Sequence, residues 1–450
     1  MSSRNLVVGG LVLGCLALCV CALAALGIGG ALYYGQTARV TEDTATPSGP
    51  VDPDALVAEM NAIEQQVVEM RGLQPTGPVE RKFMTVEEVK QRVLDDFNED
   101  TTPDEWADDT RVLAAYGMVP PDIDLYNLLL RLYSEGVAGF YDPDTGELVI
   151  VSDTGALNAY EQVTFAHETN HALQDQNYDL RDGMGFSDEG FEADSEKARA
   201  AQALIEGDAT ILEEQYKETL SRAELNEYDH ALKAIDVTIY AELPPFLLFD
   251  FAFPYFQGAD FVRRYYRLGG WARVDDVWRD PPLSTEHILH PARYDSGDNP
   301  LLVERPALTD TLGTGWRQID SGVSGEWFTY LMLAYGDNED ARLSAKEAEQ
   351  AAEGWGGDGY VVYYNVETDQ LVLAQHWVWD TLADANEFNQ TFEKYGDRRW
   401  GQSESTGTSP CWREASRQHC LFVNGQHSLW LTAPDSAILD SALALYPDLR

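Results

Sequence analysis

The chain has 450 residues, 44% of them hydrophobic and 11% aromatic, enough for a packed globular protein of about two domains. Its 31 Lys and Arg face 76 Asp and Glu, a formal net charge of -45. So acidic a surface repels nucleic-acid backbones and anionic headgroups, which excludes nucleic acid as a partner and a polybasic membrane patch.

From Leu6 to Leu32 no charged residue occurs, and Leu, Val, Ala and Gly dominate. As a helix this run would be ~40 Å long, enough to cross a hydrocarbon core with tilt. A cleaved signal peptide has a shorter apolar region of ~7–15 residues. The expectation is an uncleaved N-terminal transmembrane helix within residues 1–35, followed by a Thr-, Pro-, Gly- and Ser-rich stalk over 36–53. Of five Cys, three lie in the apolar run; Cys411 and Cys420 stand alone in the rest and read as one disulfide. The oxidising compartment this implies sets the orientation: a single-pass protein of the cell membrane, N-terminus cytoplasmic and the remainder extracytoplasmic.

Helical patterns follow at Asp54–Met70, Thr85–Asn98 (Thr85 as N-cap) and Asp124–Ser134. Val137–Val151 reads as two short strands around a Pro-Asp-Thr-Gly turn. Asp142, Asp144 and Gly146 resemble the start of a calcium loop, but the matching Glu is missing, so a hairpin turn is the reading. Helices are predicted at Asn158–Gln176 and Ser195–Tyr216. A polar break at Asp295–Pro300 separates a first domain, 54–300, from a second, 301–450. There, strand patterns at Tyr360–Val366, Gln370–Val378, Cys420–Val423 and Ser428–Thr432 alternate with a helix near Ala383–Lys394, and Asn424-Gly425 marks a hairpin. Its aromatics, Trp327, Trp355, Tyr363, Tyr364, Trp377 and Trp379, are expected in the core. The predicted fold class is α+β.

The chemistry concentrates in His167-Glu168-Thr169-Asn170-His171. Two His at i and i+4 share a helix face, so both imidazoles can reach one metal ion, while Glu168 lies ~100° round the helix, aimed at a water on that ion. Neutral imidazoles suit zinc, and Glu168 then serves as general base. A catalytic site needs a third protein ligand. Glu206 falls among apolar neighbours in Ala203–Ala209, where an unpaired carboxylate is costly to bury and a cation would remove the cost. Glu192 and Glu196 are alternatives. Asp208 is expected to hydrogen-bond a ligand imidazole. Downstream, PPLSTEHILHPARY holds His287, His290 and Tyr294; His290, constrained by Pro291, is the expected oxyanion donor.

The ordered stretches VAGFYDPDTGELVIV, TFAHETNHALQDQNYDL, ALIEGDAT and PPLSTEHILHPARY resemble the gluzincin metallopeptidases, closest to bacterial membrane-anchored members. The resemblance covers Val137 to Tyr294. It implies a mainly helical zinc-peptidase domain, one zinc per chain on His167, His171 and Glu206, and a strand within Val137–Val151 along the cleft. Thr210 stands where thermolysin-like members have an Asp, and no Gly-Ala-Met-Glu-Asn segment holds a substrate amine. The expected activity is therefore a membrane-anchored, extracytoplasmic zinc endopeptidase acting on peptides or proteins. The alternative is a non-catalytic envelope binding protein on a peptidase-derived scaffold.

Overall fold

Helix starts follow the side-chain chemistry closely. In the computed structural model, which describes residues 53–449 except 136, 153–155, 236–237, 407–408 and 415, together with Ala17–Leu18, Thr85 caps the helix Val86–Asp100. Its hydroxyl accepts from the Glu88 amide and the Glu88 carboxylate accepts from the Thr85 amide, so two otherwise orphaned donors are satisfied. Asn158 and Glu161 start Ala159–Tyr178 in the same way. Thr102 and Glu105 do so for Pro103–Tyr116, a helix the sequence reading passes over.

The strands form two sheets. The smaller has the order β1-β3-β4-β2: β1 is Ala17–Leu18, β2 Glu80–Met84, β3 Gly139–Asp142 and β4 Glu147–Val151. β3 and β4 are the expected hairpin; β2 lies parallel to β4 and was not foreseen. The larger sheet runs β5-β6-β7-β11-β10-β9-β8: β5 Trp316–Gly322, β6 Trp355–Asn365, β7 Gln370–Trp379, β8 Glu404–Thr406, β9 Ser409–Glu414, β10 Arg417–Asn424 and β11 His427–Ala433. Asn424 pairs with His427 across the expected turn. Cys411 and Cys420 face each other on β9 and β10 and are disulfide-bonded, as predicted.

The expected transmembrane helix requires correction. Among the described residues no helix is long and apolar enough to cross a membrane. The longest, Ser195–Lys217, has 23 residues but carries Glu, Asp, Lys and Arg along its length. The strongly apolar Pro245–Phe253 has 9 residues, ~14 Å of helix against a ~30 Å hydrocarbon core. Of Leu6–Leu32 only Ala17–Leu18 are described, and they pair antiparallel with Tyr141 and Phe140, a ladder in place of helical bonds. The rest of that run, and the stalk up to 52, lie outside the described residues. Among the described residues the fold class is α+β with no membrane-spanning helix, so the single-pass cell-membrane placement is not supported.

One hydrophobic cluster contains residues from both sides of position 300. The Tyr116 ring meets Phe328, Tyr360 and Trp430 edge-on, and its hydroxyl donates to Gln375 Oε1 at 2.6 Å. Trp355, Trp377 and Trp379 are fully buried there, as expected of core aromatics.

Polar groups cross the same boundary: the Trp327 amide donates to the Thr285 hydroxyl at 3.2 Å. Glu196, in the first turn of Ser195–Lys217, accepts from the Thr285 amide and hydroxyl at 2.8 and 2.9 Å. Gly325 must be glycine for this approach, since a Cβ there would lie 2.0 Å from Glu196 Oε1. Burial pushes the Glu196 carboxyl up to about 8, against the lowering effect of Thr285. A raised carboxyl pKa means the native state holds its proton more tightly than the unfolded chain. That contribution to stability is complete below about 4.5 and is lost as pH rises toward 8. Glu196→Gln should therefore flatten the fall in stability between pH 5 and 8 by a few kcal/mol, in order of magnitude. Urea melts of both proteins across that range check it; parallel curves would refute it.

Candidate metal centre

Ala159–Tyr178 and Ser195–Lys217 pack side by side and carry the predicted ligands. Small residues let another element, Pro254–Gly258, approach the second helix closely. Gly207 meets Gly258, where a Cβ would come 2.3 Å from the Gly258 carbonyl oxygen. That contact fixes the rotation of the second helix, and so the directions in which Glu206 and Asp208 point.

Glu206 Oε2 lies 3.4 Å from both His167 Nε2 and His171 Nε2. Tetrahedral zinc, with bonds of ~2.0–2.2 Å to N and O, holds its ligand atoms ~3.3 Å apart. Both separations from Glu206 thus match an edge of a zinc tetrahedron, and the trio could hold a metal ion, all ligand atoms lying within 4.8 Å of one another. Each side chain is at most 1% exposed. His171 Nε2 has no hydrogen-bond partner, the state expected of a nitrogen reserved for a cation. Burial disfavours charge on His167, yet the carboxylates of Glu206 and Glu213 outweigh it and raise its pKa to about 10. Burial likewise opposes the Glu206 carboxylate, but the two imidazoles bring it down to about 2. The local field favours positive charge between them.

Glu168 is fully buried, and neither carboxylate oxygen makes a hydrogen bond. Desolvation raises its pKa to about 7; both imidazoles pull the other way. A base poised near neutrality beside a metal trio is what proton transfer at neutral pH requires. β3 packs against the helix that carries Glu168.

Asp208 does not turn to an imidazole. Its carboxylate accepts from Arg71 at 2.8–3.1 Å, Asn170 Nδ2 at 2.9 Å and Trp278 Nε1 at 2.8 Å. The groups behind the ligands are instead Glu213, whose Oε2 lies 3.0 Å from His167 Nδ1, and Gln174, whose Oε1 lies 2.8 Å from His171 Nδ1. Neither was foreseen, though helical spacing points to both. Gln174 is three residues after His171, and Glu213 is seven, about two turns, after Glu206.

The remaining candidates lie elsewhere. Glu196 belongs to the Thr285 contact. His290 Nε2 meets Glu326 Oε1 at 2.7 Å, which raises its pKa. His287 lies between the Leu283 amide and the Asp298 carbonyl, and the Tyr294 hydroxyl donates to the Asp280 carbonyl. None of these bonds reaches the metal trio.

Residues 312–443 match a family model described as a domain of unknown function, DUF8575. The match takes in the whole seven-stranded sheet and leaves the metal trio outside. Among curated proteins and solved structures, nothing matches the chain.

Proposed function

We propose that this chain is a zinc-dependent peptidase that hydrolyses internal peptide bonds, with His167, His171 and Glu206 as ligands and Glu168 as general base. The observation that carries the reading is the 3.4 Å spacing of Glu206 Oε2 from both imidazole nitrogens, beside a buried, unpartnered Glu168. Bound zinc would supply Lewis acidity and lower the pKa of its water toward ~7. Glu168 takes a proton from the attacking water as it adds to the carbonyl carbon, then delivers it to the amine as the C–N bond breaks.

One observation favours the second reading, a binding protein with a structural metal. His167, Glu168, His171 and Glu206 are closed to solvent, at 0–1% exposure, so a peptide reaches them only after the surrounding elements part. Metal analysis of the purified chain, together with a peptide-library digest, separates the two. Zinc with cleavage supports the peptidase; zinc without cleavage supports the binding protein.

His171→Ala and Glu206→Ala each remove one of three protein bonds. Both should loosen zinc by more than the ~10–100-fold typical of a group behind a ligand. Chelator competition measures this, and wild-type retention by Glu206→Ala would move the third ligand elsewhere.

A further inference from the structure

The two imidazoles are backed unequally. Behind His171, Gln174 is itself held, its Nε2 donating to the Ile205 carbonyl at 3.1 Å, so its oxygen faces the ring. An amide oxygen only accepts, so His171 Nδ1 carries the hydrogen and Nε2 keeps its lone pair. Behind His167 stands a carboxylate, and that carboxylate has a second partner. Glu213 Oε1 lies 2.9 Å from Lys217 Nζ, one turn further along the same helix. The Glu213 side chain is 2% exposed and that of Lys217 25%. The ammonium also sits 5.6 Å from the centre of the Tyr228 ring, which limits where it can go. Lys217, Glu213 and His167 thus form a chain ending at the nitrogen that faces the trio.

We propose that Lys217 is a positioning residue for the metal centre: it fixes the Glu213 carboxylate and, through it, holds the His167 ring with Nε2 toward the ion, a role that rests on the zinc reading of the site. A carboxylate bonded through one oxygen can swing about its terminal torsion, which is broad. Bonded through both, to groups on packed helices, it is pinned, and so is the ring it contacts. Lys217 could also act purely as a charge, and the two effects have opposite signs. As a charge it repels a cation, so removing it would tighten zinc. As an anchor, removing it loosens zinc. Affinity therefore tells the two apart.

Chelator competition on the full-length protein reads zinc affinity. Lys217→Met is expected to loosen zinc about 10-fold, the lower end of the range for groups behind a ligand. Lys217→Arg, which keeps charge and a donor, is expected to stay within roughly 3-fold of wild type. Glu213→Gln should loosen zinc at least as much as Lys217→Met, and combining the two should add nothing, as coupling through one carboxylate requires. That last comparison is made within one background, so a general weakening of the fold cancels. Unchanged or tighter zinc in Lys217→Met overturns the positioning role and leaves the zinc site standing. A wild-type chain that takes up no zinc overturns both.

Discussion

Glu168→Gln should keep zinc at wild-type stoichiometry and lose peptide hydrolysis by at least ~10²-fold. Glutamine has the same shape and removes only the ability to take a proton. Glu168 also carries no structural hydrogen bond that the substitution would break. Relief from burying a carboxyl whose pKa is pushed up to about 7 should leave the fold as stable or slightly more so at pH 8. Zinc content, a melt and a timed digest on one preparation test all three. Near-normal turnover in a zinc-loaded Gln variant would remove Glu168 as the base; loss of zinc would make it a ligand.

The second large effect belongs to Arg71. Its guanidinium is fully buried, forked onto both oxygens of Asp208, bonded to Asp275 at 2.8 Å, and set against the Trp271 ring at 4.4 Å. Asp208 in turn ties Pro53–Arg71 to Asn170 on the motif helix and to Trp278. Arg71→Met keeps much of the volume but strands a buried carboxylate, and removing one partner of such a pair costs ~3–5 kcal/mol. Arg71→Lys should recover only part, because an ammonium cannot make the fork. Denaturant melts of the metal-free proteins give both numbers. A Met variant within ~1 kcal/mol of wild type would mean that Asn170 and Trp278 suffice to hold Asp208.

Much of this was legible in local spacing. Thr85 with Glu88 announces a helix, Asn424-Gly425 a hairpin, and His167 with His171 a shared face, because each needs only neighbours a few positions away. Asp208 was assigned wrongly for an equally local reason. Two residues beyond Glu206 is ~200° round a helix, so the two carboxylates leave on opposite sides and cannot serve the same imidazole. Applying the helical period to Glu206 would have found Glu213. β2 stayed hidden because Glu80-Arg81-Lys82 reads as polar surface, and only its parallel pairing with β4 makes it a strand. His290 illustrates the limit: its partner Glu326 is 36 residues away, beyond any local pattern. The reading of Leu6–Leu32 as an anchor rested on length and apolar content, which say how much a segment avoids water but not what it packs against.

The contact of Glu196 with Thr285 and Gly325 has a consequence for how the protein is made. A ribosome adds ~5–20 residues per second, so the residues that seat the first turn of the ligand helix emerge on the order of ten seconds after Glu206 itself. Throughout that interval His167, His171 and Glu206 are already synthesised, while the wall that seats the Glu206 helix is still inside the translation machinery. On the zinc reading proposed above, metal acquisition belongs late in biogenesis, after the C-terminal sheet has closed onto Tyr116, and a truncated translation product would carry all three proposed ligands without the wall that seats the Glu206 helix.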